Sequence, residues 1–106
     1  MPVPEITVTE LAERLVVGAV LFDVRNPDEF EWARVGGATL VPLPDVPERV
    51  GEFPTSGEVL VICKSGARSA IAVEFLRANG VDAVNVAGGT LAWIDSGQPV
   101  ESGGSA

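Results

Sequence analysis

An α/β sandwich, with a mostly parallel sheet and helices on both faces, follows from the order of patterns along this 106-residue chain. Continuous apolar runs, short enough for buried strands, alternate with stretches of helical spacing. The connections between them are tight, and several helical stretches carry their own start and stop residues.

Ile6 is a short apolar lead-in after residues 1–4. Thr7-Val8-Thr9-Glu10 forms a capping box, in which the Thr7 hydroxyl takes the Glu10 amide and the Glu10 side chain returns. Val8, Leu11, Ala12 and Leu15 then recur at helical spacing, and Gly18 closes the helix. Ala19 to Val24 is a continuous apolar run with an acid near its end, predicting a buried parallel strand. Pro27 opens a short helix, with Asp28 and Glu29 at its positive end. Gly36-Gly37 breaks it, and Ala38 to Val41 is a short strand.

Pro42, Pro44 and Pro47 punctuate a connection with room for one helical turn up to Val50. Glu58 to Ile62 is the clearest strand and runs straight into Cys63. A helix is expected from about Ser69 to Asn79, with Ile71, Ala72, Phe75 and Leu76 on one face and Gly80 as its stop. Ala83 to Val86 is the last strand. Gly88-Gly89 turns into a final helix carrying Leu91, Trp93 and Ile94. The domain is thus expected over 5–98, with 1–4 as a lead and 99–106 as a flexible tail.

Composition narrows the chemistry. There is no His, which removes thiol–imidazole and Ser-His-Asp arrangements and imidazole metal sites. One Cys allows no internal disulfide and no cysteine-cluster metal site. No metal or cofactor is expected. Seven basic against fifteen acidic residues give a net charge of −8, a poor match to nucleic acid or an anionic membrane. No apolar run reaches the ~20 residues of a membrane helix, and the first residues lack the pattern of a signal peptide. The expected location is the cytoplasm.

Charge is distributed unevenly. No acid occurs between Glu58 and Glu74, and that gap holds Cys63, Lys64 and Arg68. In open-sheet α/β folds, ligands bind at the carboxyl ends of the strands, where Cys63 stands. Gly66 and the small residues Ser65, Ala67 and Ser69 allow a tight curl whose amides point at a common centre. A free thiol titrates near 8.5, leaving about 3% thiolate at pH 7. A downward shift of about two pH units requires roughly 2.7 kcal/mol, within reach of amides, a helix end and two cations. With no His as base, the activation is electrostatic. The plain alternative is an inert strand-end Cys, which small and cationic neighbours disfavour. A phosphate cradle is another, although the GxxxxGK[ST] spacing is absent.

At these residues the chain resembles the single-domain rhodaneses, a sulfurtransferase family. C-K-S-G-A-R-S at Cys63 to Ser69 matches the family's C-R-x-G-x-R-S loop, with Lys64 where Arg is common. Asp23-Val24-Arg25-Asn26-Pro27-Asp28-Glu29-Phe30 matches D-V-R-x-P-x-E-[FY]. Gly37-Ala38 matches a following G-A, and Gly88-Gly89 with Trp93 matches G-G-x-x-x-W. The family often has G-H-I before that G-A, where this chain has Ala33-Arg34-Val35.

The resemblance implies a rhodanese-like three-layer sandwich on a five-stranded sheet. It implies a thiosulfate sulfurtransferase in which Cys63 takes sulfur from a small anionic donor such as thiosulfate and passes it, as a persulfide, to a thiol or cyanide. Lys64, Ser65, Gly66, Ala67, Arg68 and Ser69 form the substrate loop. Lys64 and Arg68 are candidates to attract the donor's oxygens. An ion pair of Arg68 with Asp23 or Glu74 is the competing role. Arg25 is expected to pair with an acid, Asp23 and Glu29 to be structural, and Trp32 and Trp93 to pack. A persulfide carrier serving a partner protein uses the same residues. A phosphatase or arsenate reductase fits less well, because it needs five residues between Cys and Arg and here there are four. A non-catalytic binding module of this type usually lacks the Cys.

Overall fold

The computed structural model describes residues 2–104. Five strands, β1 (Glu5–Ile6), β2 (Val20–Asp23), β3 (Thr39–Leu40), β4 (Glu58–Ile62) and β5 (Asp82–Val86), form one sheet in the order β1-β5-β4-β2-β3. Every pairing in it is parallel. Four helices, α1 (Val8–Val16), α2 (Pro27–Trp32), α3 (Ala67–Ala78) and α4 (Gly89–Asp95), complete the chain, with 3₁₀ turns at Leu43–Asp45 and Val50–Glu52.

The three layers follow from side-chain alternation along β4. Val59, Val61 and Cys63 point to one face, where Ala72, Val73 and Leu76 of α3 pack with Phe22, Val46 and Phe53. Leu60 and Ile62 point to the other, against Leu11 of α1 and Trp93 of α4. Since β4 lies at the centre of the sheet, its residues are buried on both sides, which explains the unbroken apolar run. The Thr7–Glu10 capping box is present, with Glu10 N–H donating to the Thr7 hydroxyl at 3.1 Å.

Four details depart from the sequence expectations. The Ile6 lead-in is a strand, β1, too short for any periodicity to show. Two 3₁₀ turns occupy the proline-rich connection where one helical turn was expected. Helix α3 begins at Ala67, two residues before the expected start, so Arg68 lies in its first turn and not before it. Its buried face is Ser69, Ala72, Val73 and Leu76, whereas Ile71 is 62% exposed. The polar Ser69 takes the inward position because its hydroxyl is needed there, and Ile71 is rotated outward.

Residues 99–103, expected as a loose tail, lie along the segment after α2. Arg34 and Glu101 exchange backbone hydrogen bonds at 2.9 Å, and Gly103 N–H donates to the Glu31 carbonyl at 2.7 Å. Trp93 Nε1–H donates to the Pro99 carbonyl at 2.8 Å. Ser105 and Ala106 lie outside the described residues.

Candidate active site

Cys63 follows β4 at its carboxyl end and is almost fully buried, at 1% exposure. The backbone turns sharply after it through Lys64, Ser65 and Gly66 into α3. Gly66 adopts a left-handed conformation (φ 108°), which side-chain-bearing residues rarely take. That turn brings the Gly66 N–H to 3.1 Å from Cys63 Sγ. One helical turn later, Ser69 places its hydroxyl 3.2 Å from the same sulfur.

The carbonyls of the loop face the other way. Thr90, at the start of α4, donates its N–H at 2.9 Å and its hydroxyl at 3.0 Å to the Cys63 carbonyl, and Leu91 N–H donates to that of Lys64 at 3.0 Å. Only glycine allows this approach, since a Cβ on Gly89 would stand 2.6 Å from both carbonyl oxygens. The Gly88-Gly89 pair is therefore part of the loop's construction.

Burial pushes the Cys63 thiol up. The Ser69 hydroxyl and the backbone N–H groups of Ser69, Gly66 and Ser65 together outweigh it and hold the thiol below its ordinary value. The expected direction appears, but hydrogen-bond donors are its leading cause, and the attraction between the Arg68 charge and the sulfur is secondary. Arg68 is turned away into a two-pronged ion pair with Glu29, at 2.7 and 2.9 Å, and not with Asp23 or Glu74. The Arg68 guanidinium draws the Glu29 carboxyl down to about 2, against desolvation, with the Asn26 N–H assisting. Asp23 is taken by Arg25, which is buried and also donates to the carbonyls of Glu29 and Ala33. These two pairs lock α2 against β2 and α3.

Lys64 is exposed and lines a cleft of about 570 Å³ beside the loop, together with Thr90, Trp32, Leu91 and Ile94. Trp32 stands 72% exposed on the rim, whereas Trp93 is buried beneath α4. Cys63, Ser65, Gly66, Ala67 and Ser69 thus form one turn around the sulfur, with Lys64 at the mouth and Arg68 on the outer side. Arg34, in the place of the family's frequent His, caps the Phe30 and Gly103 carbonyls at 3.0 Å and lies over the Phe30 ring.

Sequence reasoning missed Thr90 and Asn85. Asn85 is a buried polar residue near the carboxyl end of β5, 1% exposed, reached by the Ser69 hydroxyl. A lone amide inside an apolar strand was the available signal, since such a group must find partners.

The pattern of the Rhodanese-like domain matches residues 7–96. The chain belongs to the rhodanese-like family. A sulfurtransferase of Allochromatium vinosum is 35% identical over 101 residues, covering 92% of this chain and 94% of that protein. Thiosulfate sulfurtransferase 16 of Arabidopsis thaliana is 32% identical over 110 aligned positions, covering 92% of each. The crystal structure of a rhodanese-like domain protein from Staphylococcus aureus superposes with a TM-score of 0.86 at 36% identity, covering 95% of this chain and 99% of that one. The family and three-layer fold implied by the sequence motifs therefore hold for this rhodanese-like domain, whose relatives include proteins named sulfurtransferases.

Proposed function

We propose that this rhodanese-like domain moves sulfane sulfur from an anionic donor such as thiosulfate to a thiol or cyanide, through a persulfide on Cys63. The observation that carries the reading is the sulfur's surroundings: the Gly66 N–H donates to Sγ at 3.1 Å, and the Ser69 hydroxyl, 3.2 Å away, is placed to donate to it once the thiol ionises. A site of that kind favours a sulfur anion. The Cys63 thiolate attacks the outer sulfur of thiosulfate, the S–S bond breaks, and sulfite leaves with the bonding pair. The terminal sulfur of the persulfide carries the negative charge into the same donors. An acceptor nucleophile then attacks that terminal sulfur, and Cys63 leaves as thiolate.

Lys64, exposed at the mouth of the cleft, draws in the donor's oxygens. The Arg68–Glu29 pair holds the helix that supplies Ser69. A reacting thiol that must stay free of disulfides suits the cytoplasm, and no helix among the described residues is long and apolar enough to cross a membrane. A relay to a partner protein's thiol is a second reading, favoured by the exposed Trp32, Leu91 and Ile94 around the cleft.

The test is intact-mass spectrometry after incubation with thiosulfate. One added sulfur atom, removed by dithiothreitol and absent in Cys63→Ser, is the expected result. An unmodified protein that releases no thiocyanate from thiosulfate and cyanide refutes the reading.

A further inference from the structure

We propose that Asn85, held in one orientation by Glu5, is a positioning residue that decides which way the Ser69 hydroxyl points at Cys63. The inference rests on the reading of Cys63 as the reacting sulfur. Its basis is a chain of contacts from the site to the sheet edge. Ser69 Oγ lies 3.2 Å from Cys63 Sγ, 3.3 Å from the Gly66 carbonyl and in close contact with Asn85 Oδ1. Asn85 Nδ2 lies 3.0 Å from Glu5 Oε2 and 3.2 Å from the same Gly66 carbonyl.

A hydroxyl has one hydrogen, so Ser69 can donate fully to only one of its three acceptors. The amide of Asn85 settles the competition. Its NH₂ group faces two acceptors, a carboxylate and a carbonyl. Turning the amide over would set its oxygen against both. Glu5 and Gly66 therefore fix Oδ1 toward Ser69, and two oxygens in close contact require the hydrogen between them. In that state the sulfur meets a lone pair of Ser69 Oγ, which suits a thiol donating S–H. The chain then runs one way: S–H to Oγ, O–H to Oδ1, N–H to Oε2.

The thiolate needs the opposite at Ser69, with O–H donating to sulfur. Asn85 then has to turn and donate N–H to Oγ, which the Glu5 carboxylate opposes. A residue on edge strand β1 thus acts on the sulfur through two buried side chains. The charged groups around the thiol are Lys64 in the loop, Arg68 of α3 with Glu29 of α2, and the Asp23–Arg25 pair at the end of β2. Beside Glu5, Glu74 of α3 lines the same surface hollow.

Iodoacetamide alkylation of Cys63 against pH tests this without requiring sulfur transfer. Glu5→Gln keeps the shape but removes the carboxylate, the stronger of the two acceptors that oppose the turned Asn85 amide, leaving only the Gly66 carbonyl. The expected result is a lower alkylation midpoint, with neutral-pH reactivity raised about threefold, the scale of one neutral hydrogen bond. Glu5→Ala should do the same, and in a Ser69→Ala background the shift should vanish. The shift should also survive 1 M salt, which screens charges beyond about 3 Å. An equal shift in the Ser69→Ala background, or one abolished by salt, assigns the effect to plain charge and overturns the proposal. No shift in otherwise unaltered protein overturns it too. Absence of sulfur loading from thiosulfate, by contrast, refutes the sulfur-transfer reading alone.

Discussion

Replacing Glu29 by Gln isolates the pair that fixes α2 to α3. Gln keeps the acceptor for the Asn26 N–H, which donates to Glu29 Oε1 at 3.0 Å, and removes the charge facing Arg68 together with the Oε2 acceptor of its second hydrogen bond. A carboxyl drawn from 4.5 to about 2 corresponds to about 3 kcal/mol at full value. The two side chains are 32% and 25% exposed, and solvent screening reduces this to about 1–2 kcal/mol. The folded value lies below the unfolded one. The stabilisation is therefore complete above about pH 4.5 and is lost as pH falls toward 2. At pH 7, Glu29→Gln should melt about 5–12 °C lower than the unaltered protein. Urea melts at pH 7, 4, 3 and 2.5 should show the gap closing through that window, and a carbon-detected NMR titration of Glu29 should give a midpoint near 2. An equal gap at every pH, or none at pH 7, refutes the ion-pair reasoning.

Three further outcomes are expected. The midpoint of Cys63 alkylation should fall below the free-thiol value of about 8.5, and Ser69→Ala should raise it, because the hydroxyl is the leading influence that lowers the thiol. Gly89→Ala should cost at least about 2 kcal/mol and abolish sulfur transfer, since its Cβ meets the Cys63 and Lys64 carbonyls at 2.6 Å from a φ of +59°; a normal melting curve with full activity counts against the described loop. Lys64→Ala should lower kcat/KM for thiosulfate about tenfold at low salt and much less at 0.5 M, with little effect on an uncharged donor; equal losses with both donors count against oxyanion attraction.

The layers were legible in the sequence because their signals are local. The apolar run of β4, the capping box of α1 and the glycines after α3 each reveal an element without reference to the rest. The Cys63 loop was legible for the same reason: its glycine, small residues and missing acids are contiguous. What could not be seen depends on distant partners. Arg68 pairs with Glu29, 39 positions away, and no spacing rule chooses that acid over Asp23 or Glu74. Strand β1 exists because Glu5 and Ile6 find Asn85 and Val86, and two residues carry no period of their own. The apolar face of α3 was misassigned at Ile71 because an inward serine has no place in a hydrophobic pattern until its sulfur and amide partners are known.

The division of the Cys63 loop into inward donors and outward, tied carbonyls has a consequence for how the sulfur can change charge. Thr90 and Leu91 anchor the two oxygens that could otherwise swing toward Sγ, and Gly66 N–H is already aimed there. Around a flexible thiol, solvent dipoles must turn each time a negative charge appears or departs, and that turning is part of the barrier. Here the dipoles are covalently fixed between a central strand and two helices, so the backbone is already arranged for the anion while the sulfur is still neutral. Apart from the hydroxyl of Ser69 and the Asn85 amide behind it, nothing in the mould has to rotate. A thiolate, a persulfide anion and the state between them can then follow one another in the same cavity with little reorganisation.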